Sequence, residues 1–307
     1  MSEFQLYQKR DFSAFMNDTI QFFKLFWKNY FRNFVVINGA LLLLMCVLYF
    51  LVFKDMFKNM YNPSGLAGSW LTNMSNPGLF IGGMLLFFLV SIALFIFTIA
   101  YPMVYLNLLK TSGEDSFTAS EVFNEIKRIA GRIFAFGFFS FFIMIPLGMV
   151  AFGIGIALSF LLIGIPLLFL TLPTFMIWLQ QALYVYIEED ESYFTALGKG
   201  WKITFEKYWH VVGSTLVLFL FILFVSSLFS MVPTIMMLSS MFTTGGHVQP
   251  ITMTPTMLVL SVIGMLFSFI ANNIIYVQQG LVYYSSQENS VNFQAFSDIE
   301  NIGKNEE

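Results

Sequence analysis

The sequence predicts an all-α integral membrane protein: six transmembrane helices, three amphipathic helices on the cytoplasmic side, and a threefold repeat of amphipathic helix plus transmembrane hairpin. Three observations carry this prediction. First, Ile133 to Ile187 is a run of 55 residues without Asp, Glu, Lys, Arg or His. About 20 apolar residues cross a ~30 Å hydrocarbon core, so the run holds two crossings and must turn within itself. Gly148, Gly153, Gly155, Gly164 and Pro166 interrupt the apolar pattern and place that turn between Gly148 and Pro166. Second, the 307 residues are 57% hydrophobic and 11% charged, against about 25% charged in soluble domains. Third, six crossings divide the basic residues unevenly. Lys9, Arg10, Lys24, Lys28, Arg32, Lys110, Lys127, Arg128, Arg132, Lys199, Lys202, Lys207 and Lys304 fall on one side and only Lys54 and Lys58 on the other. Thirteen against two places both termini in the cytoplasm. A four-crossing arrangement would keep the central run in one leaflet, which its length opposes.

Taken in order, residues 11–32 set Phe12, Phe15, Met16, Phe22, Phe23, Phe26, Trp27 and Tyr30 opposite Asn17, Gln21, Lys24, Lys28 and Arg32. That is the pattern of an interfacial helix, with rings shallow in the headgroups and basic ends on anionic lipid. The first crossing spans about 33–53, between Arg32 and Lys54. A polar loop with turn signals at Asn62-Pro63 and Asn76-Pro77 leads to the second, about 79–109, where Tyr101-Pro102 predicts a kink. A second amphipathic segment, 117–132, alternates Phe117, Val122, Phe123, Ile126 and Ile129 with Glu121, Glu125, Lys127, Arg128 and Arg132. It feeds the central crossings, about 133–153 and 160–187. A third, 194–210, turns Phe194, Leu197, Trp201, Phe205, Tyr208 and Trp209 away from Lys199, Lys202, Glu206 and His210. Crossings at about 211–237 and 256–281 follow, separated by a loop without formal charge. Residues 1–286 thus form a single transmembrane domain, with 287–307 a cytoplasmic tail. Phe12-Ser13-Ala14, Phe117-Thr118-Ala119 and Phe194-Thr195-Ala196 each open an amphipathic segment, their Ser or Thr suited to capping it. Their recurrence supports the threefold repeat.

Several function classes find no residues to carry them. No ionisable residue stands within the spans, where pumps and ion-coupled transporters keep them. His210 and His247 have no Cys or carboxylate cluster beside them and are read as structural. Gly153-Ile154-Gly155 lacks the Lys-Ser/Thr of a phosphate loop, and no nucleophile elbow or paired catalytic carboxylates occur. Nothing resembles a nucleic-acid patch. The 18 methionines suit apolar packing, and Cys46, the single cysteine, is read as a small core residue. The polar N-terminus predicts no cleaved leader. Glu188-Glu189-Asp190-Glu191 has the charge to bind a divalent cation or a basic partner, but as an acidic run before a helix N-terminus it reads more simply as a solvated loop.

Two sets of polar residues are left as candidate sites. Gln180, Gln181, Asn272, Asn273, Gln278 and Gln279 lie near the cytoplasmic ends of the fourth and sixth crossings. Amides in lipid need partners, so they serve as interhelical hydrogen bonds or line a polar chamber. Lys24, Lys28, Arg32, Lys127, Arg128, Arg132, Lys199, Lys202 and Lys207 form a basic collar suited to anionic lipid.

ALGKGWKITFEKYWHVVGSTLVLFLF, with the opening RDFSAFMNDTIQFFKLFWKNYFRNF and the closing LVYYSSQENSVNF, resembles the bacterial membrane domains fused to glycerophosphodiester phosphodiesterases and their stand-alone six-span relatives. The resemblance implies a six-span fold and a link to lipid-derived substrates. Ser285-Ser286 replaces the aspartate-arginine pair usual after that family's last span, and no phosphodiesterase domain accompanies it, so no catalytic residue is carried over.

The expectation is therefore a non-enzymatic protein of the bacterial inner membrane, without cofactor. It would act as a scaffold or accessory subunit of a membrane complex or of lipid organisation, with membrane lipids and another membrane protein or complex as partners. The alternative is a carrier for an uncharged or lipidic small molecule, with the amides as its chamber.

Overall fold

The structure is a computed structural model and describes residues 4–60, 77–112, 117–243 and 255–288. Among the described residues there are seven helices and no strand: α1 (Phe12–Met60), α2 (Pro77–Ser112), α3 (Ala119–Ser159), α4 (Gly164–Glu188), α5 (Tyr193–Glu206), α6 (Tyr208–Thr243) and α7 (Pro255–Ser286). Six of them, all but α5, are long and apolar enough to cross a membrane. The loops 61–76 and 244–254 and the tail from 289 lie outside the described residues, as does His247.

The first two amphipathic segments are not separate helices. Residues 12–60 form one unbroken helix of 49 residues, about 73 Å long at 1.5 Å per residue, and α3 likewise runs without a break from Ala119 through the third predicted crossing. Nothing between Arg32 and Asn33 or between Arg132 and Ile133 stops a helix, because a change from amphipathic to apolar patterning leaves the backbone untouched. The third segment is separate. Lys207 leaves helical geometry at φ −130° and ψ 52°, ending α5 just before α6 begins. Pro102 lies inside α2, which continues past it to Ser112.

The caps differ from the expected register. Thr118 caps α3 in a reciprocal box with Glu121. In the other two units the motif residue is not the cap: Asp11 Oδ1 accepts from the Ala14 amide at 2.8 Å, and the Ser192 side chain accepts from the Thr195 amide. The three Phe-Ser/Thr-Ala triplets therefore occupy different positions relative to their helix starts.

The central turn falls at 160–163, inside the predicted interval. The amides of Leu161 and Leu162 donate to the carbonyls of Leu158 and Ser159 at 3.0 Å each. Leu162 takes a left-handed φ of 61°. Gly164 is required by close approach, since a Cβ there would run into the backbone of Leu158 and Ser159 and the carbonyl of Gly155. All four turn residues are apolar and exposed, Phe160 by 91%.

The chain divides into two units. Unit 1 comprises residues 1–33, 99–219 and 274–307 and so holds the start of α1, the end of α2, the whole of α3, α4 and α5, the start of α6 and the end of α7. Its core has an aromatic part, with Tyr30 edge-on to Tyr101 and Tyr105 at 4.8 Å and Tyr105 against Phe117 at 4.7 Å. Its aliphatic part joins Phe15, Ile177, Val211, Val212 and Val282. Gly280 lets α7 approach closely, because a Cβ there would strike Leu106 and come within 2.7 Å of the Tyr184 hydroxyl. Unit 2 comprises residues 34–98 and 220–273. There α1 buries Leu42, Met45, Leu48 and Val52, and Gly83 of α2 packs where a Cβ would stand 2.9 Å from Val52. In the same unit Ser226 of α6 and Ser268 of α7 share a hydrogen bond of 3.3 Å.

Candidate functional site

In unit 1 a buried polar chain links three helices. Gln181 of α4 donates through Nε2 to the Gln279 side chain at 2.9 Å and to the Gln279 carbonyl at 3.1 Å. Gln279 of α7 then donates to Thr215 Oγ1 of α6 at 2.9 Å, and Thr215 donates to the Val211 carbonyl. Thr215 escapes sequence reading because a lone threonine on an apolar helix ordinarily bonds its own backbone. The other predicted amides do not join this chain. Gln180 Nε2 and both polar atoms of Gln278 are buried without a hydrogen-bond partner among the described residues. Asn272 and Asn273 belong to unit 2, where Asn273 donates back to the Phe269 and Ile270 carbonyls.

Gln181→Leu is accordingly expected to lower stability in detergent by up to ~1.7 kcal/mol, the upper range for interhelical hydrogen bonds in membranes. Gln180→Leu is expected to leave stability unchanged or raise it, since a buried donor without an acceptor costs ~1–3 kcal/mol. Thermal unfolding of the two variants checks this, and equal losses would contradict it.

The acidic run is a solvated loop in part, the Asp190 side chain being 85% exposed, but it is also tied into the fold. Each of its members meets a partner within the chain. Glu188 accepts from Asn107 Nδ2 at 2.9 and 3.1 Å. Glu189 accepts from Lys199 at 2.7 Å, Gln287 at 2.9 Å and the Tyr283 hydroxyl at 3.2 Å. Asp190 pairs with Arg132 at 2.6 Å and Glu191 with Lys199 at 2.8 Å. Asp190 stands at φ 54°, a left-handed conformation that Asp tolerates better than most residues. The sequence shows where these carboxylates lie along the chain but cannot show that Arg132 of α3 and Lys199 of α5 come to meet them. Hydrogen bonding to Glu189 and then Glu191 raises the Lys199 pKa above its ordinary 10.5. A base raised on folding contributes stability below its unfolded pKa and loses it as pH rises through the folded one. At this exposed site the effect is small. Among the described residues no three His, Cys, Asp or Glu side chains stand together as metal ligands.

Beside Glu188 a cleft of about 650 Å³ opens between three helix ends of unit 1. The end of α2 contributes Val104, Asn107, Leu108 and Thr111, and the first turns of α3 contribute Glu125, Arg128, Ile129 and Arg132. Ile187 and Glu188 of α4 complete the wall. None of the predicted amides lines it. Arg128 pairs with Glu125 at 2.6 Å, its side chain 71% exposed. Arg132 lies 4.8 Å from the Tyr186 ring and donates to the Tyr186 carbonyl.

The basic collar falls entirely within unit 1. Lys24, Lys28 and Arg32 are exposed on α1, Lys127 and Arg128 on α3, and Lys199, Lys202 and Lys207 along and just after α5, while Arg132 is half-buried. The aromatic face of α1 divides: Phe15, Phe22 and Tyr30 are buried in the protein, leaving Phe12 and Trp27 outside. Helix α5 divides likewise. Ala196, Leu197, Gly200 and Thr204 are buried, Trp178 of α4 donates to the Leu197 carbonyl at 2.8 Å, and Phe194, Trp201 and Phe205 remain exposed.

Arg10, which the sequence marks only as one of many basic residues, is 1% exposed. Its guanidinium donates to Asp18 at 2.8 Å and to the carbonyls of Gln5 at 2.6 Å, Leu6 at 2.8 Å and Gln8 at 3.4 Å. Its backbone amide donates to Ser285 Oγ at 3.1 Å. Burial lowers its pKa, an effect that the Asp18 hydrogen bond and charge oppose. Arg10 thereby folds the N-terminal segment onto unit 1, where Phe4 packs on Phe22 and Phe26 and Tyr7 on Tyr284.

No protein-family model matches this chain, and neither curated proteins nor solved structures give a match.

Proposed function

We propose that this is a non-enzymatic protein of a bacterial inner membrane, crossing it six times with both termini cytoplasmic, and that it acts as a scaffold organising lipid, alone or within a larger membrane complex. One observation carries this reading. Every described basic residue except Lys54 and Lys58 belongs to unit 1, which also gathers the starts of α1, α3 and α6 and the ends of α2, α4 and α7. Alternating helices that bring those ends to one side put the basic residues there too, and such residues favour the cytoplasmic face. Exposed Trp27, Trp201 and Trp209 stand in the same unit, and indole rings suit the headgroup boundary. In this reading the helix order is three copies of one plan: an amphipathic segment at the start of α1, at the start of α3 and in α5, each followed by two crossings.

Topology is testable by cysteine labelling in intact cells on a Cys46→Ala background. Ser69→Cys and His247→Cys are expected to react from outside, and Ser116→Cys and Ser192→Cys only after permeabilisation. External labelling at Ser192 would sink the orientation.

The lipid role is testable by native mass spectrometry. Each basic residue near an anionic surface contributes about 1 kcal/mol, so replacing Lys24, Lys28 and Arg32 with glutamine is expected to reduce retained anionic lipid. Rising salt should produce the same loss, since screening acts beyond ~8 Å at physiological ionic strength. Equal retention by wild type and triple variant would reduce this part of α1 to a hydrophobic anchor.

A further inference from the structure

We propose that the cleft between the end of α2, the start of α3 and the end of α4 binds the zwitterionic headgroup of an ethanolamine phospholipid, phosphate toward Arg128 and Arg132 and ammonium toward Glu188. The inference rests on the reading above in one respect only, that this end of unit 1 lies at headgroup depth.

The cleft's charges are of both signs, and they are incompletely satisfied. Arg128 commits one terminal nitrogen to Glu125. Arg132 commits Nη1 to Asp190 and Nη2 to the Tyr186 carbonyl. A guanidinium has five N–H donors, so both retain donors for a phosphate, which arginine suits by its fork geometry. Glu188 is half-buried, and its only hydrogen-bond donor among the described residues is the Asn107 amide. It forms no salt bridge among them. Asn107 is itself positioned one turn before Thr111, whose hydroxyl donates to the Asn107 carbonyl at 2.6 Å. Lys110 and Arg128 act on Glu188 through space without forming a salt bridge, so a carboxylate fixed in this way keeps acceptor capacity for a ligand ammonium that can donate hydrogen bonds.

The cleft's size and apolar residues fit the same occupant. Its volume of about 650 Å³ lies within the ~300–1,000 Å³ of ordinary ligand sites. Leu108 and Ile129 in its wall offer contact to the glycerol backbone and first methylenes of a lipid. A purely anionic headgroup would meet Glu188 unfavourably, and a choline headgroup has no N–H to give it.

The test is lipid competition on the full-length protein in mild detergent. Equimolar ethanolamine, choline and glycerol phospholipids with identical chains are added, and bound lipid is read by native mass spectrometry. Wild type is expected to retain the ethanolamine lipid about tenfold over choline, equivalent to ~1.4 kcal/mol. Glu188→Gln is expected to erase that preference and raise the share of the anionic glycerol lipid. Replacing Arg128 and Arg132 together with glutamine is expected to weaken all three. Equal retention of ethanolamine and choline lipids by wild type overturns the proposal, and this arm needs no variant to fold. An unchanged preference in folded Glu188→Gln overturns it too. Displacement of bound lipid by soluble phosphoethanolamine at comparable concentration would assign the site to a free metabolite and overturn the lipid assignment. Failure of the collar reading would appear separately, as unchanged anionic-lipid retention in the Lys24, Lys28, Arg32 variant.

Discussion

Arg10→Leu is expected to destabilise the protein in detergent by about 3–5 kcal/mol, the cost of breaking a buried ion pair and leaving one member alone. The substitution leaves the Asp18 carboxylate, whose side chain is 14% exposed, with the Gln8 amide but without its ion-pair partner, and removes the donor to the carbonyls of Gln5, Leu6 and Gln8. Two companions make the result interpretable. Lys9→Gln removes the adjacent charge, which sits 3.7 Å from Glu288 with its own side chain 65% exposed, and should cost about 0–1 kcal/mol. The double variant Arg10→Leu with Asp18→Leu removes both buried charges and should recover much of the loss, because an apolar pair of similar size can replace a buried bridge at little cost. Chemical unfolding of all three decides the matter. If Arg10→Leu lost no more stability than Lys9→Gln, the N-terminal segment would not be held in the manner described.

The second large effect is a reversal between two glycines on one helix. Gly198→Ala is expected to stabilise by roughly 0.5–1 kcal/mol, because alanine is the better helix former and nothing stands within 4 Å of a Cβ there. Gly200→Ala is expected to destabilise by about 1–3 kcal/mol through overpacking. A Cβ at Gly200 would lie 2.5 Å from the Ala182 amide nitrogen and 2.7 Å from its Cα, backbone atoms that cannot rotate away. Relief requires α5 to lift from α4, pulling on the hydrogen bond from Trp178 to the Leu197 carbonyl. Paired melting curves give the answer directly. Two shifts of the same sign would mean that α5 is not seated on α4 at Gly200.

Much of this fold is legible in the chain because apolar run length responds to the solvent rather than to neighbouring residues. The uncharged stretch from Ile133 to Ile187 demanded two crossings and a turn, and the structure turns at 160–163. The alternation of 12–32 marked both the buried Phe15, Phe22 and Tyr30 and the exposed Lys24, Lys28 and Arg32. What periodicity cannot mark is whether an aromatic face will meet lipid or protein, since both are apolar, and so the burial of Phe22 and the exposure of Trp27 looked alike.

The candidate sites were less legible, for a related reason. A glutamine in an apolar helix announces only that it needs a partner. That Gln181 meets Gln279 and Thr215 while Gln180, its neighbour, meets no acceptor through Nε2 depends on the rotation of α4, which one residue changes by about 100°. The acidic run from Glu188 to Glu191 shows the same limit, because nothing local says that Asn107, Arg132 and Lys199 will arrive beside it from distant positions.

By itself, then, the sequence determined the helical class, the number of apolar helices and the clustering of basic residues at their ends, all set by composition and by the spacing of side chains along single helices. Only the tertiary structure decided that Arg10 is buried, that each carboxylate of the acidic run meets a partner and that Arg128, Arg132 and Glu188 border one cleft. Each of these depends on contacts between residues far apart in the chain, and such contacts are fixed by how helices pack rather than by how any one of them is patterned.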